Sequence, residues 1–305
     1  FGPRFSNAYG DLRRLPTVLV ENHSLKPYRQ RVLGTYVLLE ATLEALASEA
    51  KSLKSAIAAD RAMRPATVAA NWKDKKEPVG WLDFLSIEGA EAESAATGGK
   101  TMRWTGRPGP TVKIPVYGSE PGQQISIPKA YWVPATKPEV IARLKAHGVA
   151  LETIATARNV SVDMIRLGGF KMSGPSEGRV PLASAGVAHE TRTVTFPPGS
   201  VRISTDQPLG PLAAHLLEPE SEDSLFAWGF FSEILQRVEY MEPYAIAPMA
   251  ERMLAGDPAL KAEFEKRLKE DEGFAASPLR RLQFFYERSP FYDDRYLLYP
   301  VGREL

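Results

Sequence analysis

The sequence contains no cysteine among its 305 residues. Disulfides, thiolate metal sites and a cysteine nucleophile are therefore excluded, and the chain is compatible with the cytoplasm or with export as a disulfide-free protein. An excess of charge of one sign is also lacking, because 38 lysines and arginines stand against 37 aspartates and glutamates and leave a formal net charge of +1. A balanced chain offers no broad electrostatic surface for nucleic acid or for an anionic membrane.

Long apolar runs are absent as well. No stretch approaches the roughly 20 apolar residues that a membrane helix requires, so no membrane span is predicted. The remaining composition is ordinary for a globular protein, with 44% hydrophobic and 25% charged residues, and the length allows two domains.

One apolar run ends in a carboxylate. Residues 17–20 read Thr-Val-Leu-Val without polar alternation, and Glu21 follows directly. This pattern predicts a strand buried on both faces of an α/β sheet. Ligands in such sheets gather at the carboxyl ends of the strands, so Glu21 is positioned for chemistry.

The rest of the chain changes character twice. Apolar residues at helical spacing predict one long helix from Pro27 to about residue 64. Short β-type runs between Gly and Pro then predict an antiparallel β-rich domain, with one helix at 137–147 and a mobile loop at 89–100. The last part is helical, with candidate helices at 211–217, 224–238, 245–255, 258–270 and 278–287. The prediction is an α+β fold in three domains, 1–64, 65–205 and 206–305.

Several stretches resemble a known family. Residues 7–10 (Asn-Ala-Tyr-Gly), 16–21 and 23–28, followed by Arg31-Val32, resemble the last strand and last helix of bacterial M14-type zinc carboxypeptidases. Residues 200–224 and 287–303 resemble the C-terminal extension of large bacterial members of that family. The resemblance implies that residues 1–64 are the terminal strand and long helix of an α/β peptidase domain. An antiparallel β-rich domain with a helical C-terminal layer would follow it.

The resemblance also implies an activity. The family hydrolyses C-terminal residues from peptides, and its strand-end glutamate, here Glu21, acts as general base and proton shuttle beside a zinc-bound water. The zinc ligands of the family precede that strand, yet only twenty residues precede Glu21 here. We therefore expect zinc in a complete protein, a missing N-terminal catalytic portion as partner, and no activity from this chain alone. A periplasmic or secreted location follows from the resemblance only.

A corollary concerns residues 1–30. A strand that is apolar on both faces is unstable when exposed, so this segment should pack against something absent from the sequence. We expect disorder, a non-native pairing or an undescribed partner segment there. Pairing of residues 17–21 on both sides by strands of this same chain would contradict the interpretation.

Other candidate residues are less well supported. Tyr9 is a candidate substrate-binding residue at the rim of the active site, whereas Arg13 and Arg14 are expected to be solvated surface charges. His215 and Glu218 have the His-x-x-Glu spacing of a zinc pair, but no clear third ligand follows them, so a structural role is favoured. The same holds for His23, which is expected to shape its turn. Aromatic residues near 226–231 and 284–292 are expected to be core.

An alternative function belongs to a different class. The chain would then be a non-catalytic binding or scaffolding module that recognises a partner or a cell-wall component. Zinc binding and release of C-terminal residues distinguish the two hypotheses.

Overall fold

The computed structural model describes residues 2–24, 26–237 and 240–305, which form two compact units divided between Ile127 and Pro128. Helices and antiparallel sheets are both present, which confirms the α+β class. The three-domain division at residues 64 and 205 stays a prediction. Over the described ranges, no helix is long and apolar enough to cross a membrane.

The first unit begins with two helices, α1 (Ser6–Leu12) and α2 (Tyr28–Ala62). Helix α2 has 35 residues and starts directly after Pro27, whose fixed φ suits the start of a helix. The long helix predicted from the sequence is therefore confirmed. None of its residues is buried, and its first half exposes a series of large apolar side chains: Tyr28, Val32, Leu33, Tyr36, Val37, Leu38, Leu39, Leu43 and Leu46.

The strands of the first unit are nested antiparallel pairs. In chain order they are β1 (Thr67–Ala69), β2 (Trp72–Asp74), β3 (Gly80–Ser94), β4 (Gly99–Val116), β5 (Ser119–Pro121) and β6 (Gln124–Ser126). Strand β1 pairs with β6, β2 with β5 and β3 with β4, so the chain runs outward along a ribbon and returns beside itself.

The mobile loop predicted at residues 89–100 is wrong, because most of it lies in the β3–β4 pair. Gly89 faces Trp104 and Ser94 faces Gly99, with the reversal at a turn where Gly98 has a φ of 70°. The Ala, Glu and Ser residues of this stretch have weak strand propensity, but pairing with β4 satisfies their backbone groups.

The second unit is built on a six-stranded antiparallel sheet in the order β12-β9-β14-β7-β13-β8. Its strands are β7 (Ala130–Val133), β8 (Glu152–Thr153), β9 (Arg158–Leu167), β12 (Val187–Phe196), β13 (Val201–Ser204) and β14 (Gly302–Glu304). A separate small pair joins β10 (Phe170–Met172) and β11 (Leu182–Ser184). One face of the large sheet packs a core of Trp132, Ile154, Val162, Met164, Phe196 and Leu298.

The last strand of the chain lies inside this sheet. Strand β14 pairs with β7 on one side and with β9 on the other. Gly302 permits the close approach, since a Cβ there would meet the Val162 side chain at about 3.0 Å. The sheet is therefore complete only when residues 302–304, near the end of the sequence, pair between β7 and β9.

The helices of the second unit are α3 (Pro138–Ala146), α4 (Gly210–Leu217), α5 (Pro243–Gly256), α6 (Pro258–Glu270), α7 (Glu272–Ala275) and α8 (Pro278–Tyr286). Five predicted helices are confirmed with small shifts of their ends. The helix predicted at 224–238 is wrong over its described part, where turns and a short 3-10 segment (Ser232–Leu235) occur instead. Gly229 adopts a φ of 75°, which a continuous α-helix does not accommodate. Val238 lies outside the described residues.

Helices α5 to α8 enclose a phenylalanine core. The Phe264 ring lies 5.7, 5.4 and 4.7 Å from the rings of Phe274, Phe284 and Phe285. The core role predicted for the aromatic residues holds for Phe226, Phe231, Phe284, Phe285 and Tyr286, whereas Phe291 is 68% exposed.

Candidate functional site

Glu21 lies in an exposed segment without regular structure. The strand predicted at residues 17–21 does not form, and none of the described strands pairs with it. Val18 is 82% exposed. A strand requires backbone partners for its N–H and C=O groups, and this chain places no strand beside the segment.

Two contacts nevertheless fix the segment on its own unit. The Asn22 side-chain amide donates to the Arg31 carbonyl oxygen at 3.2 Å and to Thr35 Oγ1 at 3.3 Å, which ties the residue after Glu21 to the first turns of α2. Upstream, the Thr17 side chain packs where a Cβ of Gly10 would lie, so glycine is required at that position. The backbone next to Glu21 is thus attached to the first turns of α2. The backbone N–H of Lys26 donates to the His23 carbonyl in the turn that follows.

Tyr9 lies in α1, and its hydroxyl accepts a hydrogen bond from Arg13 Nη1 at 3.2 Å. Arg14 forms a 2.9 Å ion pair with Asp60 near the other end of α2, and its side chain is only 16% exposed. The expectation of solvated surface charges is therefore wrong for Arg14. The substrate-binding role of Tyr9 stays a prediction.

His215 and Glu218 do not converge as a metal pair. His215 Nδ1 lies 2.7 Å from Ser221 Oγ, whereas Glu218 Oε1 accepts from the Tyr131 hydroxyl at 2.6 Å and from Arg303 Nε at 2.9 Å. Burial lowers the pKa of His215 to about 4. The ring is therefore neutral at physiological pH.

Glu218 belongs to a buried polar cluster that sequence reasoning missed. Tyr131, Arg303 and Asp163 lie directly opposite one another on three neighbouring strands, β7, β14 and β9. Arg303 Nη1 donates to Asp163 Oδ2 at 2.5 Å, while its Nε reaches Glu218 beyond the end of α4. Asp163 also lies 2.8 Å from His189 Nδ1 on β12. One guanidinium thus joins the sheet to the segment after α4.

The electrostatics of this cluster follow from burial. Arg303 is 6%, Asp163 7% and Glu218 1% exposed. Burial would lower the pKa of Arg303, but Glu218, Tyr131 and Asp163 raise it overall, so the guanidinium stays charged. Burial raises the pKa of Glu218 despite Arg303, and burial together with the Glu218 carboxylate raises that of Tyr131.

The cluster serves the fold rather than chemistry. Its charged groups already bind one another, and only the His189 side chain, 47% exposed, reaches solvent. A signal for it exists in the sequence, since Asp163 interrupts the apolar run of β9. Its partners Arg303 and Glu218 lie 140 and 55 residues further along the chain, so the sequence does not reveal the pairing.

No metal centre is formed by the described part of the chain, in which no three His, Asp or Glu side chains come together in a group that could hold an ion. Residues 2–24, 26–237 and 240–305 therefore do not fit a zinc site.

Comparison with known proteins shows a partial similarity to a fungal protein. No family model matches, and no solved structure matches. Carboxypeptidase 2 of Trichophyton rubrum is 27% identical over 111 residues, which cover 36% of this chain and 21% of that protein. The similarity indicates a carboxypeptidase-like relationship. The chain thus spans about a fifth of the length of the relative. The M14 type, zinc and bacterial origin stay predictions, because the relative is fungal and its printed name specifies none of them.

The central position of Arg303 leads to a stability prediction. Arg303→Met leaves two carboxylates buried without their cation and should lower the free energy of unfolding of the second unit by about 3–5 kcal/mol. Adding Asp163→Asn and Glu218→Gln should recover part of the loss. The matched control is Arg202→Met, whose ion pair with Glu304 is more exposed and should cost about 1 kcal/mol or less. Urea unfolding measures the difference, and equal losses in the two single variants would contradict the cluster's role.

The neutral His215 predicts a pH dependence. Its folded pKa lies below the ordinary value of 6.5, so its contribution is present above pH 6.5 and is lost as pH falls toward 4. From pH 7 to pH 5 the loss should be about 2 kcal/mol greater than in His215→Gln, a difference in which the opposing contribution of Glu218 cancels. Hydrogen exchange in urea, read on peptides from residues 128–305, measures it. The exposed His23→Gln variant should behave as the parent, and identical pH profiles for the His215→Gln variant and the parent would refute the prediction.

Proposed function

We propose that this chain is the C-terminal part of a metallocarboxypeptidase and that Glu21 is its general base. The similarity to a carboxypeptidase carries this proposal. The position of Glu21 adds support, because the carboxylate is exposed and its neighbour Asn22 is hydrogen-bonded to α2.

Glu21 would act twice in peptide hydrolysis. Its carboxylate first accepts a proton from the attacking water and then delivers that proton to the amine that leaves the peptide. The proton taken from the water is the one given to the leaving amine, so one residue serves both steps. The ion of the complete enzyme, zinc by resemblance, would be held by residues outside this chain, since the described residues do not fit it.

The complete protein would also contain polypeptide that packs on the first unit. Val18, Leu19 and Val20 are 82%, 48% and 46% exposed, and the first half of α2 exposes further large apolar side chains. Many exposed apolar side chains in one unit are typical of a protein that has an interface there. We propose that the N-terminal catalytic portion packs on these side chains and gives residues 17–21 their strand partners. Peptides with a free carboxyl terminus would be the substrates, and Tyr9 a residue at the rim.

One observation favours the alternative of a binding or scaffolding module. Three aromatic side chains of the β3–β4 ribbon are exposed, Trp81 by 62%, Phe84 by 49% and Trp104 by 65% of their surface. They are exposed because a two-stranded ribbon has no core of its own. Such a ribbon suits recognition of a partner or a cell-wall component. Activity of the complete protein distinguishes the two functions.

The test uses the complete protein and the 305-residue chain in parallel. The complete protein should bind zinc and release C-terminal residues from peptides, whereas the 305-residue chain should do neither. Glu21→Gln should lower kcat/KM by at least about 100-fold, because general acid–base catalysis contributes that much. The matched control is Glu265→Gln, an exposed glutamate on α6 in the other unit, which should leave activity unchanged. Full activity of Glu21→Gln would exclude the catalytic role, and the absence of hydrolysis by the folded complete protein would favour the binding module.

A further inference from the structure

A cavity of about 500 Å³ lies along one face of α5 in the second unit. Its floor follows the helix at a spacing of three and four residues, so the contributing side chains share one face. They are Glu242, Ala245, Ile246, Met249 and Arg252. Tyr240, Tyr286 and Phe291 complete the lining from outside the helix. We call this cavity the α5 groove.

The α5 groove is apolar along its length. Ile246 and Tyr286 are buried and form a firm base, and the Tyr286 ring packs edge-on against Tyr292 at 5.4 Å. Tyr240 and Phe291 are 74% and 68% exposed and can contact a ligand from the sides. Apolar and aromatic walls with a few polar groups are typical of ligand sites, and the volume lies in their usual range.

The two ends of the groove carry opposite charges. Glu242 is the residue before the first turn of α5 and makes no capping hydrogen bond with its side chain. Arg252 lies ten residues further, which places the two backbones about 15 Å apart along the helix axis. Neither side chain has an ion-pair partner among residues 2–24, 26–237 and 240–305, whereas Arg280 and Arg288 on and after α8 pair with Asp271 and Glu263. The groove therefore offers an acidic end and a basic end to an elongated ligand.

We infer that the α5 groove binds the carboxyl-terminal segment of a peptide. The carboxylate would lie on Arg252, whose guanidinium suits a bidentate contact, and a basic group of the peptide would lie near Glu242. A span of about 15 Å corresponds to roughly four extended residues. Their apolar side chains would contact Ile246, Met249 and the aromatic walls. The choice of a peptide carboxyl terminus rests on the proposed function.

A peptide held in this way keeps its last peptide bond, the bond that a carboxypeptidase cleaves, inside the groove. The α5 groove would therefore be a second peptide site, distinct from the one at which hydrolysis takes place. It needs neither a metal ion nor Glu21, which belongs to the other unit. Binding in the groove and hydrolysis are therefore separable, and each can fail without the other.

The experiment is a calorimetric titration of the 305-residue chain carrying Glu21→Gln. The probe is the tetrapeptide Lys-Leu-Leu-Phe with a free carboxylate, compared with the same peptide as carboxamide. The acid should bind about tenfold more tightly than the amide, since a charge-assisted contact is lost in the amide. In Arg252→Ala this ratio should fall to about one, whereas it should persist in Lys269→Ala, which removes an exposed cation of α6 outside the groove.

The acidic end is tested in the same way. Glu242→Gln should weaken binding of the Lys-Leu-Leu-Phe acid by a factor of a few, and Glu251→Gln, an exposed change on the same helix outside the groove, should not. Far-UV circular dichroism confirms that each variant is folded, and Arg252→Gln replaces Arg252→Ala if the latter is not. Absence of binding, equal affinity for acid and amide, or an unchanged ratio in Arg252→Ala would each overturn the inference, even if the complete protein proves to be a carboxypeptidase.

Discussion

The second unit depends on one buried cation. Arg303 lies on the last strand of the chain, in the interior of the sheet, and binds Asp163 across the sheet and Glu218 beyond α4. Removing two carboxylates from water is costly, and only a guanidinium with good geometry offsets that cost. The sheet order, the position of α4 and the return of residues 302–304 to the sheet are therefore coupled.

In the first unit, by contrast, apolar side chains are exposed. Its long helix and the segment before it expose apolar side chains, and no residue of α2 is buried. Helical propensity and the start at Pro27 explain why the helix forms, but most helical stability in proteins comes from tertiary packing. The difference between the units supports the proposal that Glu21 acts only where a further portion of polypeptide covers this surface.

Sequence reasoning was most successful where local signals suffice. Helix α6 begins at Pro258 after Asp257, whose side chain accepts from two backbone N–H groups, and its limits were predicted correctly. It failed where tertiary pairing overrides local preference. Residues 89–100 look like a loop but pair in the ribbon, and the aromatic spacing at 224–238 looks helical but is interrupted at Gly229. Strand β9 was missed because Asp163 and Arg166 interrupt its apolar pattern. Glu21 is predicted because one carboxylate follows an apolar run, and its role stays a proposal, whereas the Arg303 cluster can be recognised only in the folded sheet.

The second unit should be stable by itself, whereas the first unit should require further polypeptide packed on its exposed apolar side chains. Hydrogen-exchange mass spectrometry of the 305-residue chain beside the complete protein tests this difference most directly. The account predicts equal protection of β7, β9 and β14 in both proteins, with residues 17–46 strongly protected only in the complete protein. Equal, strong protection of residues 17–46 in the 305-residue chain alone would contradict it.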